Sequence, residues 1–282
     1  MAMKDGIIFL DKEEGLTSRK VDNLIGKVFH THKVGHLGTL DPFATGLLII
    51  GVNKGNKALS FALDEEKTYE ARLVLGKATS TGDKTGEVIE TKDIPPLNED
   101  KIKEVLSSFI GKSTQIPPMT SAIKIGGKAL YELAHEGKQI QRDPRPIEVY
   151  SISLTCLFED GFSFKVSVSK GTYIRVLGED IAKALGSVGY LSSLRRLSIG
   201  RYRVEEAITL EEVTQDSLLS PLKVLSHMEK IYCSPTLAEL VRNGVKLKLK
   251  AKGDLVLLCQ NEEPLAVYRK EGEEYRCLRG LF

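Results

Sequence analysis

Residues 35–46 read GHLGTLDPFATG, which crowds three glycines, two threonines, a histidine, an aspartate and a proline into one stretch. Such a stretch suits a phosphate cradle, a metal site, or a loop that aims one carboxylate. A phosphate cradle needs a Gly-rich loop ending in Gly-Lys-Ser/Thr. Gly46 and Gly51 have the right separation, but Val52 follows where Lys is required. Gly111–Ser113 reads GKS, yet Leu106 stands where the motif begins with Gly. Both matches fail. The metal reading rests on His30, His32 and His36 in HTHKVGH, with no Asp, Glu or Cys joining them before Asp41. Zinc sites need converging ligands with supporting partners. His30 and His32 fall just past a predicted helix end, where imidazole meets the negative end of the dipole. We expect no metal. His36 lies inside the loop and stays open as a functional residue.

The third reading centres on Asp41. Pro42 biases the residue before it toward an extended backbone, and Gly35 and Gly38 open conformations closed to other residues. An aspartate here forms a turn or serves a site, and the surplus of constrained residues favours a site. A lone carboxylate stays ionised and aimed when an arginine grips it. SKGTYIR supplies one: Tyr173 and Arg175 alternate with Ile174 at the end of a predicted strand, so they should share a face.

The elements that must hold these residues are legible in part. GIIFLD, LLIIGV and TYEARLVLGKAT read as strands, the last with Tyr69, Ala71, Leu73 and Leu75 on one side. FSFKVSVSKGTYIRV alternates strictly through Phe162, Phe164, Val166 and Val168 and reads as a strand. Thr17 or Ser18 caps a helix with Val21, Leu24, Ile25, Val28 and Phe29 on one face. Asn98 caps another, which Gly111 stops, and Leu177, Ile181, Ala184 and Leu185 mark a third. Residues 79–98 read as a long loop. IPPMTSAIKIGGKALYELAHEGKQIQRDPRPIEVY, with four of the ten prolines, reads as a protruding, mobile segment. Past residue 229 come a short helix closed by Gly244 and three strands, DLVLLCQ, PLAVYRK and EYRCLRG. Without a regular βα rhythm, the expected class is α+β, a mixed, mostly antiparallel sheet flanked by helices. The net charge of +2 excludes an overall basic protein but not a basic face. Four scattered cysteines argue for reduced thiols. No segment reads as a signal peptide or membrane span.

Five blocks, GHLGTLDPFATGLLIIGVNKGNKA, KTYEARLVLGKATSTGDKTG, PPMTSAIKIGGKALYELAHEGK, SKGTYIRVLGEDIAKALG and LSSLRRLSIGRY, together resemble the bacterial tRNA pseudouridine-55 synthases of the TruB type. The resemblance spans about residues 5–225. It implies a pseudouridine synthase fold: a catalytic domain over 1–229, a thumb-like RNA-binding insertion over 116–146, and a small β-rich PUA-like domain over 230–282. It implies isomerisation of a uridine in the tRNA T-loop, conventional position 55, by base flipping and without cofactor. By block, Asp41 matches the catalytic aspartate, Arg175 its partner, and Tyr69 the tyrosine that stacks on the base. Tyr173 and Leu194 match pocket-lining residues. His36 matches the residue that meets the opened T-loop, and Lys12 a basic residue near the site. His135 stands where the family commonly has arginine. The resemblance implies a cytoplasmic monomer that binds the T-stem-loop and needs no membrane or obligate protein partner. The alternative is a noncatalytic RNA-binding or tRNA-folding protein on the same scaffold.

Overall fold

The computed structural model describes residues 4–62, 66–121, 123–130, 133 and 140–282. Its main sheet runs β1 (Gly6–Lys12), β3 (Thr45–Val52), β12 (Gly189–Ile199), β4 (Glu66–Leu75), β11 (Gly161–Ser169), β10 (Arg145–Phe158) and β7 (Gly111–Gln115). β2 (Val34–Leu37) also pairs with β3, and β13 (Tyr202–Arg203) with β12. Every pairing is antiparallel except the short β3–β12 contact. The α+β class and mixed sheet agree with the sequence reading.

The run GIIFL is apolar throughout because both faces of the sheet are covered. Ile8 and Leu10, with Leu48 and Ile50, join one core. Ile7 and Phe9, with Leu47 and Ile49, join a second core across the sheet. The first core is roofed by α1 (Ser18–Val28), α3 (Glu99–Ser108) and α4 (Ile174–Ala184), through Val21, Ile25, Ile102, Leu106, Leu177 and Ile181. Thr17 caps α1 by accepting from the Lys20 amide, and Asn98 caps α3 by accepting from the amides of Asp100 and Lys101. The short helices α2 (Lys54–Ala58) and α5 (Leu222–Leu225) belong to the second core.

A separate sheet, β14 (Glu229–Tyr232), β15 (Leu255–Gln260), β16 (Glu263–Glu271) and β17 (Glu274–Gly280), closes the chain. Leu257, Cys259 and Val267 pack into the second core, so this sheet covers the back of the large one. Its other face carries Val256, Leu258 and Tyr268 against α6 (Pro235–Arg242), which Ser234 caps.

Several elements differ from the sequence reading. Residues 79–98 are not all loop: β5 (Lys77–Thr79) pairs with β6 (Val88–Thr91). The end of the segment expected to be mobile, from Arg145, enters β10. Within that segment β8 (Lys124–Ile125) pairs with β9 (Lys128–Ala129), and His135 lies outside the described residues. β7, β10 and β12 were not read as strands. Among the described residues, no helix is long and apolar enough to cross a membrane.

Candidate active site

The edge of β3 is shared. Its residues 49–52 pair with β2, whereas Thr45 and Gly46 pair with Arg195 and Arg196 of β12. The chain between β2 and β3 is therefore pushed out as a loop, and Asp41 lies on it. Gly46 is required at this junction: φ is +100°, and a Cβ would sit 2.3 Å from the Arg196 carbonyl oxygen.

The loop is pinned along its length. Gly38, at φ +71°, turns the chain after β2, and its carbonyl accepts from Arg196 Nη2 at 2.8 Å. Ser18 on α1 accepts from the Leu40 amide at 2.9 Å and approaches the Leu40 carbonyl at 3.1 Å. The Ala44 amide donates to the Asp41 carbonyl at 3.1 Å. That closes a turn with Asp at its first position and Pro at its second, the preferred chemistry. The Pro42 carbonyl accepts from the Gly15 amide at 2.8 Å and from Lys12 Nζ at 3.3 Å. The turn reading and the site reading of Asp41 thus hold together, because its backbone makes the turn while its carboxylate points elsewhere.

That carboxylate meets Arg175. Arg175 Nε lies 2.8 Å from Asp41 Oδ2, and Nη2 donates to Oδ1 at 3.2 Å, a forked contact. Arg175 is not at a strand end. β11 stops at Ser169, Tyr173 is the N-cap of α4, and Arg175 lies in the helix's first turn. Expecting Tyr173 and Arg175 on one strand face was therefore mistaken; the turn at Gly171, φ +84°, breaks the alternation. The remaining Arg175 donors are also engaged. Nη1 donates to the Thr81 carbonyl at 2.7 Å and to Thr120 Oγ1 at 2.6 Å, and Nη2 to the Thr120 carbonyl at 3.0 Å. Asp83, buried, stands 3.6 Å from Nη1. Gln115 clamps the chain ahead of α4 by accepting from the Tyr173 amide at 2.8 Å and donating to its carbonyl at 3.1 Å.

Arg175 is 4% exposed and Asp41 32%, so the carboxylate opens outward on a buried cation. Burial pushes the Asp41 carboxyl above its ordinary value and nearby Asp83 adds to that, while Arg175 and Lys12 pull it back. Lys12 is 1% exposed. Its ammonium donates to the carbonyls of Glu13, Leu16 and Pro42, and burial lowers its pKa to about 8. Lys12 thus sits beneath the loop as its support rather than on its surface.

His36 is on β2, paired with Ile50, not in an open loop as expected. Its Nδ1 lies 2.9 and 3.1 Å from the two Asp22 oxygens, and Nε2 lies 3.2 Å from Thr39 Oγ1. With both nitrogens committed, it is not poised as a metal ligand. Tyr69 and Leu194 are 7% and 5% exposed and join the apolar cluster that holds Leu40 and Phe43, on either side of Asp41. Register puts Tyr69 opposite Arg196 and Leu194 opposite Ala71, so all four share the site face. Arg196 is fully buried; its Nε donates to the Leu47 carbonyl at 2.8 Å, and its Nη1 has no partner among the described residues.

Sequence reading missed Asp22, Asp83, Thr120, Gln115 and Arg196. Asp83, Thr120 and Arg196 stand in blocks already singled out, Arg196 most visibly as part of a doubled arginine. Among the described residues, no three His, Cys, Asp or Glu side chains converge as metal ligands.

The architecture is that of a pseudouridine synthase. The profile of the TruB family pseudouridylate synthases (N-terminal domain) matches residues 26–174, and the chain belongs to this family. It is 40% identical to the tRNA pseudouridine synthase B of Bacillus pumilus, over 98% of this chain and 92% of that protein. It is 41% identical to the protein of the same name from Hydrogenovibrio crunogenus, over 90% of this chain and 84% of that one. In fold it resembles a chain in the crystal structure of a Cbf5–Nop10–Gar1 complex, with TM-score 0.73 and 25% identity, over 98% of this chain and 85% of that one.

Proposed function

We propose that this chain isomerises a T-loop uridine of tRNA, conventional position 55, to pseudouridine. The observation that carries this reading is the half-open Asp41 carboxylate, held by a fully engaged, buried Arg175 on a loop pinned from four elements. In the reaction the N1–C1′ bond breaks, the base turns, and a C5–C1′ bond forms while C5 gives up a proton and N1 gains one. No external reactant is consumed. Asp41 either attacks the nucleoside or removes a sugar proton, and both roles need an ionised carboxylate. Arg175 and Lys12 oppose the upward push of burial and so favour the ionised form.

A base folded into a loop must be turned out to be reached, at about a few kcal/mol. Tyr69 stacks on the extruded base, Leu194 and Tyr173 line its pocket, and His36 enters the opened T-loop. Lys12 supports the Asp41 loop from below. The segment 116–146 closes on the RNA as a thumb-like insertion, and its base already touches Arg175 through Thr120. Residues 1–229 form the catalytic domain and 230–282 the PUA-like domain. We infer that the chain works on tRNA as a monomer in the cytoplasm. A noncatalytic RNA binder on this scaffold is disfavoured, because a carboxylate aimed outward repels polyanionic RNA unless it performs chemistry.

The test is conversion of an unmodified tRNA transcript by purified protein, with pseudouridine mapped by mass spectrometry. We expect one pseudouridine, in the T-loop, and none in a transcript with that uridine replaced by cytidine. Binding without conversion would establish the noncatalytic alternative.

A further inference from the structure

We propose that Asp22 is a positioning residue that orients His36 for contact with the RNA. The inference rests on the functional reading above and extends it to a residue outside the motif blocks. On α1 the buried positions are Ser18, Val21, Asp22, Ile25 and Gly26, one unbroken helical stripe facing the core. A carboxylate inside such a stripe is unfavourable unless it is paired and hydrogen-bonded. The Asp22 side chain is only 2% exposed, and its partners are few. Arg19 approaches Oδ2 at 3.4 Å from a side chain that is 75% exposed, which makes it a weak partner. His36 Nδ1 lies 2.9 Å from Oδ2 and 3.1 Å from Oδ1. The imidazole is therefore the principal neighbour of this buried charge.

The chemistry follows from which group donates. An ionised carboxylate only accepts, so His36 must carry its proton on Nδ1. In the neutral ring Nε2 is then the acceptor, and Thr39 Oγ1, 3.2 Å away, donates to it. Asp22 thus selects the tautomer and sets the ring plane. The edge carrying Nε2 faces Thr39, two residues before Asp41 in sequence. Ser18, one helical turn before Asp22, holds both backbone groups of Leu40. One stripe of α1 therefore sets both the imidazole and the backbone next to the reactive carboxylate. A histidine free to rotate would lose orientation each time an RNA loop opened against it; one tied to a buried carboxylate would not.

A double-mutant cycle with thermal melting tests this. Asp22→Leu removes a buried carboxylate and leaves only a neutral imidazole without its partner, so it should leave the melting temperature close to wild type. It should weaken tRNA binding by about tenfold, the scale of one charge-assisted hydrogen bond. Asp22→Asn, whose amide oxygen can still accept from Nδ1, should recover most of that loss. In a His36→Ala background, Asp22→Leu should have no further effect on binding. A loss that persists in the His36→Ala background, or one that tracks a fall in melting temperature, would overturn the proposal. So would unchanged binding in Asp22→Leu when His36→Ala binds weakly. If His36→Ala itself leaves binding intact, the role of His36 fails first, and the fault lies with the functional reading.

Discussion

The two faces of the large sheet solve different problems with the same strands. On β1, Ile7 and Phe9 face one way and Ile8, Leu10 and Lys12 the other. The back face, closed by Leu257, Cys259 and Val267 of the small sheet, buries an apolar cluster and the neutral pair Thr68 and Ser167. Its ion pair, Arg195 to Asp11 at 2.6 and 2.9 Å, sits at the rim with Arg195 40% exposed. The site face instead carries buried Lys12, Arg175 and Arg196 among its apolar residues, with Asp22 and Asp83 against the elements above it. Burying charges is unfavourable even when they are paired. The back face therefore supplies stability, and the site face gives some of it up to hold one carboxylate in one orientation.

That contrast is open to attack from both sides. Among the residues that support Asp41, the largest effect belongs to Arg175→Met, which leaves Asp41 without its fork. Single-turnover conversion should fall by about a thousandfold, while tRNA binding, measured by filter retention, stays close to wild type. On the back face, Leu257→Ala should lower unfolding free energy by about 2–5 kcal/mol. In urea titrations that loss should appear with conversion per folded molecule unchanged.

A smaller effect comes from Lys12. Burial lowers its pKa from 10.5 to about 8. Below about 8 both folded and unfolded chains hold the proton, and the penalty is complete. Between about 8 and 10.5 only the unfolded chain holds it, so stability contributed at this site rises with pH. Cys259 and Tyr268, pushed up to about 11 and about 12, act in the opposite sense but are common to both proteins. The stability of wild type relative to Lys12→Met should therefore climb across that window by on the order of 1 kcal/mol. A flat or falling difference would mean that Lys12 is not buried as a charge.

The two faces were also unequally legible. β1, β3, β4 and β11 declared themselves because apolar residues either alternate or run unbroken, and the capped helices because their apolar positions recur at helical spacing. β12 did not, although it is central, because Arg195 and Arg196 send a charge to each face and hide the period. Arg175 was found by type and placed wrongly: a Gly-containing turn between Ser169 and Ile174 converts an apparent strand end into a helix start. Asp41 was legible from its own loop, since Gly and Pro constraints are local. Asp83 and Thr120 were not, for what makes them matter is contact with Arg175 across distant sequence. Local chemistry is written locally, and the partners that hold it are not.

The central claim is that the site face exchanges stability for chemistry, and Asp41→Asn tests it most directly. Burial raises the Asp41 carboxyl above its ordinary value, so the fold disfavours its charged form. Asparagine keeps the shape without that charge. Melting temperature, tRNA affinity and single-turnover pseudouridine formation should be measured on the same preparation. The account predicts a melting temperature equal to or above wild type, undiminished binding, and no detectable pseudouridine. Appreciable pseudouridine formation, or a lost fold that explains its absence, would contradict it.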